Sequence, residues 1–387
     1  MSSLKIMTIV GTRPEIIRLS AVIKKCDRYF DQILVHTGQN YDYKLNGVFF
    51  EELGLREPDF YLDVVGDNLG QTMGNVLANS YEIMAQENPD ALLVLGDTNS
   101  CLSVISAKRL KIPTFHMEAG NRCFDENLPE EINRRIVDHT SDVNLCYTEH
   151  ARRYLIYEGV AKDRTYVVGS PMAEVLNVNA HKINNSQVLE TLELEKGKYI
   201  LLSAHREENI DNVDNFMVLM NAVNAMAETY DMPVIYSTHP RSKKFIEQRK
   251  FEFHSNVRSL QPFGFSDYNH LQRNAFCVVS DSGTIAEEAS YFKFPAVSVR
   301  TSTERPEALD KGNMVIGGIT TRQVLQAVAM SAEMNTNDDI GVESYVENKG
   351  NPVKDYRDIN VSEKVVKIIQ SYTGIVNSMV WRKKTEV

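Results

Sequence analysis

The most constraining feature of this chain is a regular alternation of short, almost continuously apolar runs with helix-length segments. Strands of a parallel sheet covered by helices on both faces have this character, because neither of their faces meets water. The first series of predicted strands comprises Lys5–Val10, Ile33–Thr37, Ala91–Leu95, Thr114–Met117, Asn144–Tyr147 and Tyr166–Val168. The second comprises Tyr199–Ser203, Val234–Ser237, Val257–Leu260, Phe276–Val279, Ala296–Val299 and Met314–Ile316. The sequence therefore predicts an α/β protein with two doubly wound, Rossmann-like domains.

The domain boundary is predicted where the strand series restarts. The restart follows Gly169-Ser170-Pro171, and the segment 180–198 is polar and irregular. We therefore expect an N-terminal α/β domain over residues 1–169 and a C-terminal α/β domain over 170–362, facing each other across a cleft. The last segment, about 363–387, contains a predicted helix from Glu363 that is expected to pack back on the first domain. A chain of 387 residues is long enough for two buried cores.

Composition narrows the classes of partner. The net charge of −10 argues against a nucleic-acid binder and against a basic protein of the membrane surface. Five scattered cysteines without C-x-x-C spacing predict a reducing, cytoplasmic location without a disulfide or metal framework. The first predicted strand leaves no room for a signal peptide, and no apolar run is long enough to span a bilayer.

The segment Cys277–Glu288, with the sequence CVVSDSGTIAEE, predicts a phosphate site. It reads as a buried strand, a polar turn and the first residues of a helix, and helix N-termini attract anions. Ser282 and Thr284 add hydroxyl groups, and Gly283 permits close approach to the backbone. Glu288 shares a helix face with Thr284 and is placed to accept hydrogen bonds from ribose hydroxyls. An ordinary capped turn, in which Asp281 and Ser282 only satisfy the helix end, is an equally good reading of this segment.

Charged and polar residues follow six of the predicted strands. In parallel sheets ligands bind at the carboxyl ends of the strands, so these segments are expected to line a site. A single charged residue at such a position is usually a cap or part of a solvated loop. The segments are Gly11–Glu15, Gly96–Thr98, Glu118–Gly120, His205–Asn209, His239–Arg241 and Arg300–Glu307.

A predicted helix from Pro129 carries charges at i, i+4 spacing. Glu130, Arg134 and Asp138 form one row, and a second row runs from Glu131 through Arg135 to His139. Spacing alone favours two exposed, salt-bridged stripes. Only the position of the helix, shortly after Glu118, places it near a site.

The sequence lacks the motifs of several common cofactor-binding, metal-binding and hydrolytic sites. There is no G-x-G-x-x-G, no G-x-x-x-x-G-K-[ST], no H-E-x-x-H and no G-x-S-x-G. The sequence therefore predicts a protein that binds a phosphorylated ligand with neither a dinucleotide cofactor nor a metal ion.

Eight motifs occur in an order typical of a known family. They are G-T-R-P-E at 11–15, G-D-T at 96–98, H-x-E-A-G at 116–120, P-E-E-x-N-R at 129–134, H-R at 205–206, S-D-S-G at 280–283, E-E-A at 287–289 and T-E-R-P-E at 303–307. With them the chain resembles the non-hydrolysing UDP-N-acetylglucosamine 2-epimerase family over nearly its whole length. The resemblance implies the glycosyltransferase-B architecture, a UDP-sugar substrate, no cofactor and a homodimer.

The resemblance also implies roles for individual residues. The residues implied in catalysis are Asp97, Glu118, Glu130, Arg134 and His205. The residues implied in binding UDP are Arg13, Phe276, Ser282, Gly283, Thr284 and Glu288, with the uracil near Phe276 and Gln261–Phe263. The arginines implied in binding the sugar are Arg18, Arg122, Arg206 and Arg305.

Family chemistry accounts for these residue types. Carbon 2 of an N-acetyl sugar carries no acidic proton, so its direct deprotonation is costly. In this family UDP leaves carbon 1 as the carbon 2 proton is removed, which avoids that cost and gives a 2-acetamidoglycal. Re-addition of UDP with protonation on the opposite face gives the epimer. The protein must stabilise the leaving diphosphate and provide an acid and a base, for which clustered carboxylates of shifted pKa are suited.

Departures from the family pattern point to a subgroup. They are the loop Gly38–Tyr43, Asn99–Cys101, Asn121–Cys123, and Glu207 where the family usually has a second arginine. The chain is similar in these features to enzymes that make UDP-N-acetyl-L-fucosamine from UDP-2-acetamido-2,6-dideoxy-L-talose for capsule or O-antigen lipopolysaccharide. The alternatives are a UDP-N-acetylglucosamine 2-epimerase, a hydrolysing epimerase, a UDP-sugar glycosyltransferase of the same fold and a non-catalytic sugar-nucleotide sensor.

Overall fold

The computed structural model describes residues 3–38, 49–336 and 353–383. The chain divides into two compact units. The first contains residues 1–177 and 358–387, and the second contains residues 178–357. The predicted boundary after Gly169 precedes the helix Met172–Val178, whereas the units divide near the end of that helix.

The first unit is built on a seven-stranded parallel sheet. Its strands in chain order are β1 Lys5–Val10, β2 Asp31–His36, β3 Phe60–Tyr61, β4 Ala91–Leu95, β5 Thr114–Met117, β6 Val143–Cys146 and β7 Thr165–Val167. They lie in the order β3-β2-β1-β4-β5-β6-β7. Its helices are Arg13–Tyr29, Leu69–Glu87, Ser103–Arg109, Pro129–Thr140, Glu149–Tyr157 and Val361–Met379.

The second unit is built on a six-stranded parallel sheet. Its strands are β8 Ile200–Ser203, β9 Val234–Ser237, β10 Val257–Leu260, β11 Cys277–Ser280, β12 Ala296–Ser298 and β13 Val315–Ile316. They lie in the order β10-β9-β8-β11-β12-β13. Its helices are Ala180–Asn184, Val188–Thr191, Glu207–Ile210, Val213–Tyr230, Pro240–Gln248, Phe265–Asn274, Ile285–Phe292, Pro306–Asp310 and Thr321–Thr336.

These sheets confirm the prediction of two doubly wound α/β domains. Each of the twelve predicted strands overlaps an observed one. The missed strand is β3, a two-residue edge strand that pairs only with β2. Phe60 is half-buried and Tyr61 is 53% exposed, so β3 has no apolar run to reveal it.

The strand order positions the functional segments. In each sheet the strand order reverses once, and we call the place of reversal the switch point. It lies between β1 and β4 in the first unit and between β8 and β11 in the second. Loops at the carboxyl ends of such a strand pair diverge and leave a crevice, where ligands of doubly wound sheets bind. The segments Gly11–Glu15 and Gly96–Thr98 therefore meet at one switch point. His205–Asn209 and the turn after Ser280 meet at the other.

The C-terminal helix packs on the first unit. It lies against the helix Arg13–Tyr29 and buries aliphatic side chains such as Val365 and Ile369. Burial of one such side chain stabilises a fold by about 1.5–3 kcal/mol. The start of the helix is fixed by Glu174, which accepts a hydrogen bond of 2.7 Å from the Ser362 amide. No helix of the described residues is long and apolar enough to cross a membrane.

Candidate active site

Two carboxylates of the first unit come together at the ends of β4 and β5. Asp97 follows β4 and Glu118 follows β5, and these strands are neighbours in the sheet. A β-carbon added to Gly96 would lie 3.1 Å from Glu118 Oε2, so the Glu118 carboxylate sits beside the residue that precedes Asp97. The structure therefore brings these two predicted catalytic residues together.

Asp97 is oriented by the helix Pro129–Thr140. Its carboxylate is paired with the Arg134 guanidinium, and Asn133 Nδ2 donates to its backbone carbonyl at 3.1 Å. The Asp97 side chain is 17% exposed, compared with 4% for Arg134. The Asp97 carboxylate is thus held by a buried cation and keeps partial access to solvent.

Glu118 has a strained backbone. Its φ of +64° lies in the left-handed region, which is uncommon for residues other than glycine and clusters at functional sites. Its carboxylate is 4% exposed and is paired with Arg18 from the helix Arg13–Tyr29. A predicted catalytic carboxylate and a predicted sugar-binding arginine therefore form one ion pair.

The first of the two predicted exposed stripes on the helix Pro129–Thr140 is wrong, since Arg134 and Asp138 are almost fully buried. The second is confirmed in part: Arg135 pairs with Glu131 at 3.1 Å and His139 is exposed, but Glu131 itself is buried. Glu130 is half-buried and makes no hydrogen bond or ion pair with any described residue. It is the predicted catalytic carboxylate with the greatest freedom to move.

Glu15 joins the loops at the first switch point. It is 1% exposed and accepts hydrogen bonds from the Gly11 amide at 3.0 Å and from the Thr12 hydroxyl at 2.8 Å. Ser100, on the loop after β4, donates to its other oxygen. Burial raises the pKa of Glu15, although these hydrogen bonds oppose the rise. Sequence reasoning missed this role, since G-T-R-P-E draws attention to its arginine.

Arg122 is a correction to the predicted sugar contacts. Its guanidinium is buried and makes a bidentate pair with Glu158, at 2.8 and 2.6 Å. It also donates to Asp138 at 2.7 Å and to the Asn121 carbonyl at 2.8 Å. All its nitrogen atoms are therefore used within the fold, and we assign Arg122 to structure rather than to the sugar.

Asp138 supports the loop that carries Glu118. It accepts hydrogen bonds from the Gly120 amide at 3.1 and 3.2 Å, and His116 Nδ1 lies 3.0 Å from its carboxylate. Burial alone would raise the pKa of Asp138, but contacts with His116 and Arg122 outweigh burial and lower it. An ionised Asp138 thus fixes both ends of the Glu118 segment.

In the second unit the predicted phosphate turn has the predicted form. It links β11 to the helix Ile285–Phe292, and Thr284 is the residue before that helix. Ser282 Oγ lies 3.0 Å from Thr284 Oγ1 and accepts from the Thr284 amide at 3.3 Å. Two hydroxyl groups therefore stand together next to Gly283, at a helix N-terminus.

Asp281 does not cap this helix. It is buried, and its Oδ2 accepts from the backbone amides of His205 and Arg206, both at 2.9 Å. Asn209 donates to the same oxygen at 3.1 Å. Asp281 therefore binds the loop after β8 to the loop after β11. The part of the capped-turn reading that concerns Asp281 is wrong.

His205 is held at the mouth of this switch point. Its side chain is 33% exposed, and its Nδ1 lies 3.4 Å from Asp281 Oδ1. Its ring centroid is 5.5 Å from that of His239, which follows β9. The partial exposure is consistent with a residue that meets a ligand.

Glu288 lies on the helix that follows the turn and is held by one residue of a neighbouring helix. Gln272 Nε2 donates to Glu288 Oε2 at 2.6 Å, and Glu288 is 6% exposed. Gln272 thereby orients the proposed ribose acceptor, a role the sequence motifs did not indicate.

Phe276 is a second correction. It precedes β11, so it stands at the amino end of the strand whose carboxyl end bears the phosphate turn. Its ring packs on Tyr230 at 5.4 Å and on the core of the unit. We therefore remove Phe276 from the proposed uracil contacts. Gln261–Phe263 follows β10 at the carboxyl edge and remains a candidate.

The remaining predicted arginines fall into two groups. Arg305 is 1% exposed and its Nη2 lies 3.5 Å from Glu287 Oε1, while its Nε and Nη1 have no acceptor among the described residues, so its sugar contact stays a prediction. Arg206 is 21% exposed and stands near Gly283, which keeps it among the candidates. Arg13 begins the helix after β1, with its guanidinium 5.5 Å from the Phe49 ring centroid. The described residues contain no cluster of His, Cys, Asp and Glu that would hold a metal ion.

Comparison with known proteins identifies the family. The family model for UDP-N-acetylglucosamine 2-epimerase matches residues 24–370. The chain belongs to the UDP-N-acetylglucosamine 2-epimerase family. It is therefore an enzyme, a sugar-nucleotide 2-epimerase, and the resemblance seen in the sequence motifs is confirmed at the level of the family.

Members of this family with solved structures resemble the chain over nearly its full length. A UDP-N-acetylglucosamine 2-epimerase from Rickettsia bellii is 46% identical, covers 98% of this chain and 100% of its own, and superposes with a TM-score of 0.89. The Methanocaldococcus jannaschii enzyme in complex with UDP-GlcNAc and UDP is 31% identical, covers 95% and 100%, and has a TM-score of 0.86.

One relative acts on a different sugar. A UDP-2,3-diacetamido-2,3-dideoxy-D-glucuronate 2-epimerase from Pseudomonas aeruginosa is 32% identical to this chain, over 87% of the chain and 94% of the relative. The family thus includes 2-epimerases named for different UDP-sugars.

Proposed function

We propose that this enzyme epimerises carbon 2 of a UDP-2-acetamido sugar by eliminating and re-adding UDP. The observation that carries the proposal is the pair of carboxylates Asp97 and Glu118, which stand at the ends of adjacent strands and are each paired with an arginine. Elimination needs a base for the carbon 2 proton, and re-addition from the other face needs an acid. The arginines hold the carboxylates in place without removing their access to a proton.

We assign proton transfer to the first unit. Asp97, Glu118 and Glu130 are the proposed acid and base groups, with Arg134 as the partner that orients Asp97. Glu130 lies on the same helix as Arg134 and has no partner among the described residues, and we propose that it exchanges a proton with the bound sugar.

We assign the leaving diphosphate to the second unit. Ser282, Gly283 and Thr284 present hydroxyl and backbone N–H groups, and His205 and Arg206 lie on the loop that Asp281 holds beside them. Preorganised donors aimed at developing charge are usually the largest contribution to such catalysis. Glu288 is the proposed ribose acceptor, and Arg13 of the first unit is a further proposed phosphate contact.

For the substrate we propose UDP-2-acetamido-2,6-dideoxy-L-talose, converted to UDP-N-acetyl-L-fucosamine for capsule or O-antigen lipopolysaccharide. The support is the altered segments Asn99–Cys101 and Asn121–Cys123, together with a relative named for another modified sugar. The loop Asn40–Tyr43, also expected to differ, lies outside the described residues. The alternative substrate is UDP-N-acetylglucosamine, after which the Rickettsia and Methanocaldococcus enzymes are named.

Regulation and assembly are also proposed here. Glu207, in place of the expected arginine, accepts from Arg241 at 2.6 Å, and Asp211 pairs with the same guanidinium. The family resemblance implies an allosteric site for the substrate near this position. Because the arginine expected there is absent, we expect turnover without a second substrate molecule as activator. We also propose a homodimer, on the family resemblance, and a cytoplasmic location, on the five free thiols.

Deuterium oxide provides the decisive experiment. The enzyme is incubated with each UDP-sugar in deuterated water, and the recovered sugar nucleotide is analysed by NMR and mass spectrometry. We expect deuterium at carbon 2 of the sugar nucleotide and no stoichiometric release of free UDP. A glycosyltransferase or a sensor would leave carbon 2 unlabelled, and a hydrolysing enzyme would accumulate UDP.

A further inference from the structure

A group of four charged side chains, the Glu304 cluster, stands beside the phosphate turn. It consists of Arg206, Glu208, Arg300 and Glu304, all in the second unit. Glu304 is its centre, because Oε2 accepts from Arg300 Nη1 at 2.7 Å and Oε1 lies 3.6 Å from Arg206 Nη2. One carboxylate therefore contacts two arginines. Of these two, only Arg206 is among the residues proposed above to lie beside the diphosphate.

The Glu304 carboxylate lies against the glycine of the turn. A β-carbon on Gly283 would be 2.9 Å from Glu304 Oε1 and 3.8 Å from Arg206 Nη2. The N-terminus of a helix attracts anions, and a glycine there allows an anion to reach the backbone. Glu304 and its two arginines therefore lie where a phosphate bound at this turn would lie.

Two hydrogen-bond donors of the buried Arg300 guanidinium have no acceptor among the described residues. Arg300 is 4% exposed, and its Nε and Nη2 donate to no atom of the described residues. Glu208 Oε1 is 4.0 Å from Nε, too far for a hydrogen bond. Buried charged donors are costly when they lack an acceptor, so these two nitrogens point to a ligand that would supply one.

We propose that Glu304 is a displaceable internal anion and that Arg300 is a diphosphate-binding residue. As the diphosphate of UDP enters the turn, the Glu304 carboxylate moves aside, and Arg206 and Arg300 exchange it for phosphate oxygens. The planar guanidinium suits such an exchange, because its fork matches carboxylate and phosphate equally. The inference rests on the proposed function and adds a competitor for the leaving group at the same site.

A permanent ion pair is the competing explanation. In that case Glu304 only orients the two arginines, and loss of its charge would loosen them and weaken nucleotide binding. A displaceable anion has the opposite effect, since a negative charge beside the diphosphate opposes binding. Removing the charge of Glu304 should therefore weaken UDP binding if the ion pair is permanent, and strengthen it if Glu304 is displaceable.

The experiment measures binding rather than turnover. UDP and UMP are titrated by calorimetry into the full-length enzyme and into Glu304→Gln, Arg300→Gln and Arg300→Lys. Arg273→Gln and Glu195→Gln are matched controls, because these exposed residues precede β11 and β8 at the amino edge of the same sheet. Thermal melting checks that each variant is folded, and Arg300→Lys serves if Arg300→Gln does not fold.

We expect Glu304→Gln to bind UDP about three- to tenfold more tightly, and Arg300→Gln to bind it about tenfold or more weakly. Arg300→Lys should lie between wild type and Arg300→Gln, and the losses should be smaller for UMP, which lacks the second phosphate. Weaker UDP binding by Glu304→Gln, or unchanged binding by the Arg300 variants, would overturn the inference and leave the proposed function intact. A wild-type enzyme that does not bind UDP would overturn both.

Discussion

At the scale of single residues, the proposed catalytic carboxylates differ in whether an arginine is paired with them. Asp97 has Arg134, Glu118 has Arg18, and Glu130 has no partner among the described residues. We propose that these three carboxylates share the roles of base and acid.

Substitution of these carboxylates tests their roles. We expect Asp97→Asn, Glu118→Gln and Glu130→Gln each to slow deuterium exchange at carbon 2 by roughly a hundredfold or more. UDP affinity should change little, because the phosphate turn is in the other unit. Glu126→Gln is a suitable control, since Glu126 is 72% exposed just before the same helix. Normal exchange in all three variants would refute the assignment.

His36 makes a prediction about acid stability. Its ring is 2% exposed, Nδ1 accepts from the Gly38 amide at 3.0 Å, and burial lowers its pKa from about 6.5 to about 4. As pH falls below 6.5 the unfolded chain takes up a proton at this residue and the folded chain does not until about pH 4. Stability is therefore lost over that interval, by about 3 kcal/mol from this group.

The measurement compares urea unfolding at pH 7 and pH 4 for wild type and His36→Asn. The free energy of unfolding should fall less on acidification in the variant, by about 3 kcal/mol. His181→Asn, a substitution of an exposed histidine, should behave as wild type. An equal fall in wild type and His36→Asn would contradict the prediction.

At the scale of secondary structure, the two loops at each switch point are joined by one buried acid. Glu15 joins the loops after β1 and β4, and Asp281 joins those after β8 and β11. Charge-assisted hydrogen bonds to backbone amides are stronger than neutral ones, so a single carboxylate can fix a short loop. The candidate ligand groups are thereby presented by rigid strand ends on preorganised loops.

The phosphate turn gives the prediction at this scale. We expect Gly283→Val to weaken UDP binding at least tenfold, because its β-carbon would be placed 2.9 Å from Glu304 Oε1 and would cover the backbone of the turn. The fold should survive, since that contact is with the end of a flexible side chain. Gly74→Val is the control, as a β-carbon there meets nothing within 4 Å. Calorimetric titration with UDP measures the affinity of each variant. An unchanged affinity of Gly283→Val would show that the turn is not the main binding site for UDP.

At the scale of the whole molecule, the question is which UDP-sugar is turned over. A 6-deoxy sugar lacks the O6 hydroxyl, so a site built for it can place a bulky apolar group where a glucose-type site keeps a polar partner. Such a group would clash with the O6 hydroxyl of UDP-N-acetylglucosamine. We expect efficient epimerisation of UDP-2-acetamido-2,6-dideoxy-L-talose, and weak or absent turnover of UDP-N-acetylglucosamine.

Initial rates for the two UDP-sugars check this expectation. They are measured with and without a small amount of the second UDP-sugar, which also tests whether an activator is needed. A higher kcat/KM for UDP-N-acetylglucosamine would leave the family unchanged and reject the proposed substrate.

Local patterns in the sequence determined the strands, the helix after the phosphate turn and the family. Continuous apolar runs encode buried parallel strands because both faces of each strand are covered, and twelve of the thirteen strands in the described residues follow from that pattern. Motif residues such as Asp97, Glu118 and Ser282 could be chosen from sequence because their positions just after strands are local properties. Of the strands that the structure describes, β3 was missed because two residues are too short to carry a pattern.

Tertiary structure alone decided which charged residues are committed to the fold. Arg122 stands next to a motif in the chain, but its guanidinium is buried and paired with Asp138 and Glu158. Asp281 and Glu304 also contact residues far apart in sequence, since Asp281 accepts from the His205 amide and Glu304 lies 3.6 Å from Arg206. No local pattern encodes such contacts, because they arise only when the strand order places β8 beside β11 and β4 beside β5.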